Sequence, residues 1–335
     1  ASSNTALGVS ALTTNTTGSV NTAVGRQALQ LNTTGAYNVA LGYLALGENT
    51  TADYNTAVGT NALRNNTTGT PNTAVGYNAV NNNQTGNNNI GIGMEALRYN
   101  VSGHNNVAIG NDALEDNLAS NNTAVGHQAL MNNTTGSGNV AVGKGALDSC
   151  TTSVSNVCIG TGAGGAISTG NGENVCIGNN CAAAMTTGQQ NILIGDNCAA
   201  GAAVTGNSNV IIGDNAGYDL TTGGSNTAVG GSSLANNTTG NNNTALGASA
   251  LQTATTASNN TAVGFNAGSA LSTGDNSTAV GRYALKDCST GSGNVAVGLN
   301  AMENTTTASN NTAVGNQALE NNTTGDQNTA LGYQC

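Results

Sequence analysis

The chain has 335 residues, with six Lys and Arg against 16 Asp and Glu, a net charge of −10 and 48 glycines. So few basic residues exclude the Lys/Arg face that nucleic acid requires, and they remove the attraction to anionic membrane surfaces. There is no apolar run long enough to span a membrane. We therefore expect neither nucleic-acid binding nor membrane insertion.

One seventeen-residue unit repeats through the whole chain. Segment 55–59 (Asn-Thr-Ala-Val-Gly) is its clearest start, and we number these residues positions 1 to 5. The position-5 glycine recurs at residues 8, 25, 42, 59, 76, 93, 110, 126, 143, 160, 178, 195, 213, 230, 247, 264, 281, 298, 315 and 332. A fixed period of this size indicates a solenoid. We predict a single repeat array over residues 1–335 with no internal domain boundary.

Positions 2 to 4 alternate and are rich in β-branched residues, which predicts a short strand with position 3 opposite positions 2 and 4. The predicted fold is therefore all-β, a parallel β-solenoid of about twenty coils, one coil per unit. Four residues of one unit, Asn55, Val58, Gly59 and Leu63, illustrate the structural role that each position has in every coil. Val58 is assigned to the coil interior against Leu63, Asn55 to an axial amide ladder, and Gly59 to a corner with positive φ or no room for a Cβ.

At two later positions of the unit, side-chain size varies in opposite directions. Position 9, normally Leu, is small at Gly164, Ala182, Ala199, Gly217 and Gly268, whereas position 12, normally polar, becomes large and apolar at Ile167, Met185, Leu220 and Leu271, with Val204 slightly later. Close packing then predicts that positions 9 and 12 fill one internal volume. In the same zone position 3 becomes Cys158, Cys176, Leu193 and Ile211. We interpret this as a second buried face, covered by another chain or another layer.

Three segments carry a resemblance to a known family. Residues 106–110 (Asn-Val-Ala-Ile-Gly), 139–143 and 294–298 (both Asn-Val-Ala-Val-Gly) resemble the head repeats of trimeric autotransporter adhesins. The longer unit with Asn-Asn-Thr-Thr-Gly resembles repeats of phage tail fibres and bacterial surface fibres. The resemblance implies a homotrimeric β-roll, located on a cell surface or virion, that acts as a rigid rod in attachment.

The cysteines have two interpretations. Cys158 and Cys176 share position 3 of adjacent coils, and Cys181 and Cys198 share position 8. Stacked coils place such Cα atoms about 4.8 Å apart, inside the disulfide window, so two axial bridges are one reading. Small apolar residues that replace Ala in a buried column are the other. With no Cys-x-x-Cys pair and two His, a zinc site is not expected.

No catalytic constellation or phosphate-cradling motif is recognised, so we expect no enzyme and no cofactor. Asp196 and Asp214, at position 6 of adjacent coils, are weak Ca²⁺ candidates, and a solvated acidic patch is the preferred reading. Position 6 also carries candidate contacts for a surface glycan or protein receptor: Tyr43, Tyr77, Phe265 and Tyr333. Acceptor patterns for N-glycosylation recur at Asn15, Asn32, Asn66, Asn133 and Asn237.

The function favoured by these patterns is a structural component of an extracellular fibre, its shaft or head, with other copies of the chain as partners. One alternative is an ice-binding solenoid, with threonine ranks at position 2 and before position 15. A polysaccharide-acting β-helix enzyme is a weaker alternative, since it requires a carboxylate pair in a groove. The last coil stops at Cys335 without a polar cap, so we expect that the natural chain continues, was processed there, or abuts another subunit.

Overall fold

The computed structural model describes residues 3–335, which fall into two compact units, residues 3–171 and 172–335. The first contains ten parallel strands: β1 (Thr5–Leu7), β2 (Thr22–Val24), β3 (Val39–Leu41), β4 (Thr56–Val58), β5 (Asn72–Val75), β6 (Asn89–Ile92), β7 (Val107–Ile109), β8 (Thr123–Val125), β9 (Val140–Val142) and β10 (Val157–Ile159). The second contains β11 (Val175–Ile177), β12 (Ile192–Ile194), β13 (Val210–Ile212), β14 (Thr227–Val229), β15 (Thr244–Leu246), β16 (Thr261–Val263), β17 (Thr278–Val280), β18 (Val295–Val297), β19 (Thr312–Val314) and β20 (Thr329–Leu331). The single uninterrupted array stays a prediction.

Within each unit, each strand pairs with the equivalent strand one repeat further on. Thr56 lies opposite Thr73 and Val58 opposite Val75, in parallel register. The corners are also bonded between coils, since Leu63 N donates to Ala79 O at 3.0 Å. Both units are thus parallel β-solenoids with one coil per repeat, as predicted. Because backbone bonds surround much of each coil, a chain with few large apolar residues still satisfies its buried amides.

The interior is lined by positions 3, 8, 9 and 12. Ala57, Ala62, Leu63 and Asn66 are all 0% exposed. Val58 is only half-buried and points outward, so its assignment to the interior is wrong. Alternation separates position 3 from positions 2 and 4, but it does not say which face is inside. The interior beside a buried leucine at position 9 is narrow, and it accepts the small residue at position 3.

The large residues at position 3 also point into their own coil. Cys176, Leu193 and Ile211 are fully buried within the chain, so they are not evidence for a neighbouring chain. Room for them comes from the loss of bulk at position 9, because a Cβ on Gly217 would lie 2.7 Å from Ile211 Cδ1.

The exchange between positions 9 and 12 is confirmed. Ile167, Met185 and Leu220 are at most 1% exposed. A Cβ on Gly164 would lie 3.0 Å from Ile167 Cδ1, in the volume that leucine fills in other coils.

Two asparagine ladders join the coils. At position 1, Asn55 Oδ1 accepts from Asn72 N at 2.8 Å, while its Nδ2 donates to Gly69 O of the same coil at 3.0 Å. The position-1 side chain therefore bonds to the next coil through its oxygen and closes its own coil through its nitrogen.

The second ladder, at position 12, was not predicted from the sequence. Asn66 Nδ2 donates to Asn49 Oδ1 at 3.1 Å, and Asn83 Nδ2 donates to Asn66 Oδ1 at 2.8 Å. Four asparagines of the glycosylation patterns are at most 1% exposed at this position: Asn32, Asn66, Asn133 and Asn237. These four have no surface at which the folded chain could carry a glycan.

Gly59 occupies its corner for both predicted reasons. Its φ is +135°, and a Cβ there would lie 2.4 Å from Gly76 O.

Among residues 3–335, no helix is long and apolar enough to cross a membrane.

Candidate functional site

The outward side chains at positions 2 and 4 form a regular surface on each unit, which we call the strand face. In the first unit, position 2 is Thr5, Thr22, Val39, Thr56, Thr73, Ile90, Val107, Thr123, Val140 and Val157, and position 4 is Leu7, Val24, Leu41, Val58, Val75, Ile92, Ile109, Val125, Val142 and Ile159. In the second unit, position 2 is Val175, Ile192, Val210, Thr227, Thr244, Thr261, Thr278, Val295, Thr312 and Thr329, and position 4 is Ile177, Ile194, Ile212, Val229, Leu246, Val263, Val280, Val297, Val314 and Leu331. The face carries no charged side chain.

Many side chains of the strand face are exposed although they are apolar. Leu41 is 47% exposed, Ile92 and Ile109 are each 38%, and Ile192 is 40%. Strands about 4.8 Å apart with residues about 3.3 Å apart give each ten-strand unit a face on the order of 500 Å². This lies in the upper range of the largest apolar patch on an ordinary monomer, and such patches are often interaction sites.

The four aromatic residues predicted as receptor contacts lie on the surface. Tyr43, Tyr77, Phe265 and Tyr333 are 42%, 51%, 46% and 68% exposed. Two of them have cationic neighbours, since Arg26 Cζ lies 5.8 Å from the Tyr43 ring centre and Arg282 Cζ lies 6.0 Å from that of Phe265. Their role in receptor binding stays a prediction.

Sequence reasoning missed a closer pair of aromatic rings. Tyr37 and Tyr54, both at position 17, stack with ring centres 5.0 Å apart and an angle of 6°. Their common position in adjacent coils was the available signal. Because the rings cover each other, the pair offers a sugar mainly its edges.

Neither Asp196 nor Asp214 belongs to a cluster of three ligating residues in the described part of the chain. Both are exposed, and both bind asparagine amides: Asn179 Nδ2 donates to Asp196 Oδ1 and Asn215 Nδ2 to Asp214 Oδ1, each at 3.1 Å. This fits a solvated acidic patch.

A tighter acidic group, not predicted, joins Glu95, Asp112 and Glu115, whose carboxylate oxygens lie within 4.8 Å of one another. Arg98 lies 3.1 Å from Glu95 and 3.7 Å from Glu115, so a guanidinium already balances part of their charge. Burial raises the pKa of Glu115, and Asp116 and Glu95 raise it further. The group is thus a half-buried ion-pair network. Glu95 and Asp112 occupy position 7 of adjacent coils and Glu115 occupies position 10, so the stacking of coils could have indicated that these residues are close.

None of the seven cysteines is in a disulfide, and six are buried. Neither axial bridge is thus formed in this structure, and the buried cysteines fill interior positions as small apolar residues do. Burial raises the pKa of Cys150 to about 12 and that of Cys288 to about 11.

A shallow groove of about 270 Å³ runs beside the strand face, lined by Pro71, Thr73, Asn88, Asn89 and Ile90. It is smaller than a typical small-molecule site, so the strand face itself is the stronger candidate.

Comparison with known proteins does not identify the chain. No protein-family model matches its sequence, and no curated protein is significantly similar to it.

Proposed function

We propose that this chain is the shaft or head of an extracellular fibre on a cell surface or virion, and that it assembles as a homotrimer through its strand face. The observation that carries the proposal is the outward exposure of two uncharged, largely apolar ranks on every strand. Burying a Val, Leu or Ile side chain contributes roughly 1.5–3 kcal/mol, so an exposed rank of this length favours association.

A second copy of the chain is the occupant that best matches the face. The face repeats at the spacing between strands, so an identical face presents side chains and gaps with the same period. Each unit supplies on the order of 500 Å², more than half of the roughly 800 Å² per partner of a standard stable interface. The resemblance to trimeric adhesin repeats favours three copies.

The rest of the coil suits a rod. Within each unit the Asn55-type ladder joins neighbouring coils by buried hydrogen bonds. Between Asn15 and Asn133 the Asn66-type amides add a second ladder. The net charge of −10 keeps such rods apart in solution. The fibre would hold a receptor-binding part away from a surface, and Tyr43, Tyr77, Phe265 and Tyr333 are candidate contacts for a glycan or protein receptor.

Charges introduced on the strand face are expected to dissociate the assembly without unfolding it. Ile92→Asp with Ile109→Asp places two carboxylates on exposed positions of β6 and β7, where a partner would have to desolvate them. Wild-type protein should sediment at about three times the 32.7 kDa chain mass, and the variant at the mass of one chain. Analytical ultracentrifugation measures both, and circular dichroism checks the fold.

The matched control adds two carboxylates outside the face. Asn111→Asp with His127→Asp changes exposed residues at position 6 of adjacent coils, and should leave the trimer intact. A wild-type protein that sediments as a monomer at micromolar concentration would overturn the proposal.

Ice binding is the second candidate, because Thr227, Thr244, Thr261 and Thr278 form an outward rank beside the apolar rank of position 4. The other threonine ranks fit less well, since Thr67 Oγ1 donates to Gln84 O at 3.0 Å. Assembly and ice binding exclude each other on one face. If ice is the partner, wild type is monomeric and shows thermal hysteresis, and Thr261→Lys abolishes it. A trimer without hysteresis eliminates this candidate.

A further inference from the structure

Three thiols meet inside the second unit. Cys176 lies in β11 (Val175–Ile177), Cys181 at position 8 of the same coil, and Cys198 at position 8 of the next coil. All three are 0% exposed. Cys181 is the central member, because it shares its coil with Cys176 and its position in the repeat with Cys198.

Cys181 and Cys198 are also stacked by the backbone. Ala182 N donates to Cys198 O at 2.8 Å, which holds the two coils in register at this corner. Stacked residues of neighbouring coils have Cα atoms about 4.8 Å apart, within the 4.4–6.8 Å range of natural disulfides. In the reduced state Cys181 Sγ donates to Leu193 O at 3.1 Å, and Cys198 Sγ to Ile211 O at 3.5 Å.

We propose that Cys181 and Cys198 are a redox-active pair that a peroxide converts into a disulfide joining two adjacent coils, with Cys181 reacting first. Cys176 is a positioning residue in this proposal, since its thiol bonds to Cys181 and it does not join the bridge. The proposal is independent of the fibre function, because it concerns only buried groups of one chain.

The order of reaction follows from the hydrogen bonds. The neighbouring thiols of Cys176 and Cys198 lower the pKa of Cys181 to about 5, which favours its thiolate. The interaction with Cys181, followed by burial, raises the pKa of Cys198. The thiolate is the nucleophile in cysteine oxidation, so Cys181 attacks and Cys198 resolves.

The reaction balances with one peroxide. Cys181 sulfur attacks one oxygen of hydrogen peroxide, the O–O bond breaks, and a sulfenic acid forms with release of water. Cys198 sulfur then attacks the sulfenic sulfur, the S–O bond breaks, and a second water leaves with the Cys198 proton. Two thiols lose two electrons in total and the peroxide gains them. The bridge is neutral, which suits an apolar interior.

The experiment locates the bridge by mass spectrometry after hydrogen peroxide treatment of the reduced full chain and alkylation of the remaining thiols. Trypsin cannot separate the cysteines, because no Lys or Arg lies between Lys144 and Arg282. Cleavage before Asp and after Glu yields fragments 148–173, 174–195 and 196–213. The proposed bridge links fragment 174–195, which contains Cys176 and Cys181, to fragment 196–213, which contains Cys198.

The variants restore the residue that the repeat normally has. Cys181→Ala and Cys198→Ala place alanine at position 8, and Cys176→Ala places it at position 3, so all three should fold. We expect wild type and Cys176→Ala to lose two alkylatable thiols and to give the linked fragments. Cys181→Ala and Cys198→Ala should lose none by bridging, and Cys288→Ala should behave as wild type.

A parallel sample refolded in glutathione redox buffer covers slow access of peroxide to the folded interior. The linked fragments are expected there too. Absence of the bridge under both conditions would overturn the proposal. A bridge confined to fragment 174–195 would assign the pair to Cys176 and Cys181 and would equally overturn it.

Discussion

Replacing Gly59 with alanine is expected to lower the free energy of unfolding by about 2–6 kcal/mol. The φ of +135° is a region that side chains avoid, at a cost of about 1–3 kcal/mol. The added Cβ would also lie 2.4 Å from Gly76 O, and forcing the coils apart costs about 1–3 kcal/mol more. The urea midpoint followed by circular dichroism measures the loss.

Gly69→Ala is the matched control, at position 15 of the same coil. A Cβ there would also be close to a carbonyl, 2.3 Å from Gly86 O, but Gly69 does not have a positive φ. Three coils already carry a buried alanine at this position: Ala52, Ala257 and Ala308. We expect a loss of about 1–3 kcal/mol, the cost of overpacking alone, because no positive φ has to be accommodated. Equal losses in the two variants would contradict the role assigned to the position-5 corner.

The second large expected effect on stability comes from moving the large side chain from position 12 to position 9 of one coil, that is, from Leu271 to Gly268. Leu271→Ala removes a side chain that is 1% exposed, and should cost about 2–5 kcal/mol through the cavity. Gly268→Leu adds bulk where a Cβ would lie 3.0 Å from Leu251 Cδ2, and should cost about 1–3 kcal/mol through overpacking.

The double variant is expected to recover most of the combined loss, because the new leucine fills the cavity left at position 12. The backbone accepts it, since Gly268 has φ +57° and the leucines at position 9 of the adjacent coils, Leu251 and Leu285, have φ +49° and +53°. A double-mutant cycle from urea unfolding should give a favourable coupling of about 2–3 kcal/mol. Additive losses would show that the two positions do not share one volume.

The error over Val58 changes the argument for neighbouring chains. The large position-3 residues Leu193 and Ile211 pack inside their own coils, so the composition of position 3 carries no information about assembly. The proposed interface instead uses positions 2 and 4, which were assigned in part to the interior. The prediction of a partner is retained on the exposure of residues such as Ile92 and Ile109.

Ligand-related features were harder to predict than the coil. The Tyr37 and Tyr54 stack and the Glu95, Asp112 and Glu115 group involve exposed positions, where the repeat tolerates many residues. Their proximity follows only from the stacking of equivalent positions. Once one coil per repeat is established, residues 17 apart become neighbours, and both clusters can be located from the sequence.

The sequence by itself determined the period, the one-coil unit, the parallel pairing, the Gly59 corner and the exchange of bulk between positions 9 and 12. Each of these follows from spacing, backbone sterics or conserved volume within the repeat. Only the tertiary structure decided which face of the strand is inside and that the Asn66-type amides are buried. Alternation is symmetric with respect to the two faces, and an amide is stable inside only when its neighbours complete its hydrogen bonds, which depends on coils that are distant in sequence.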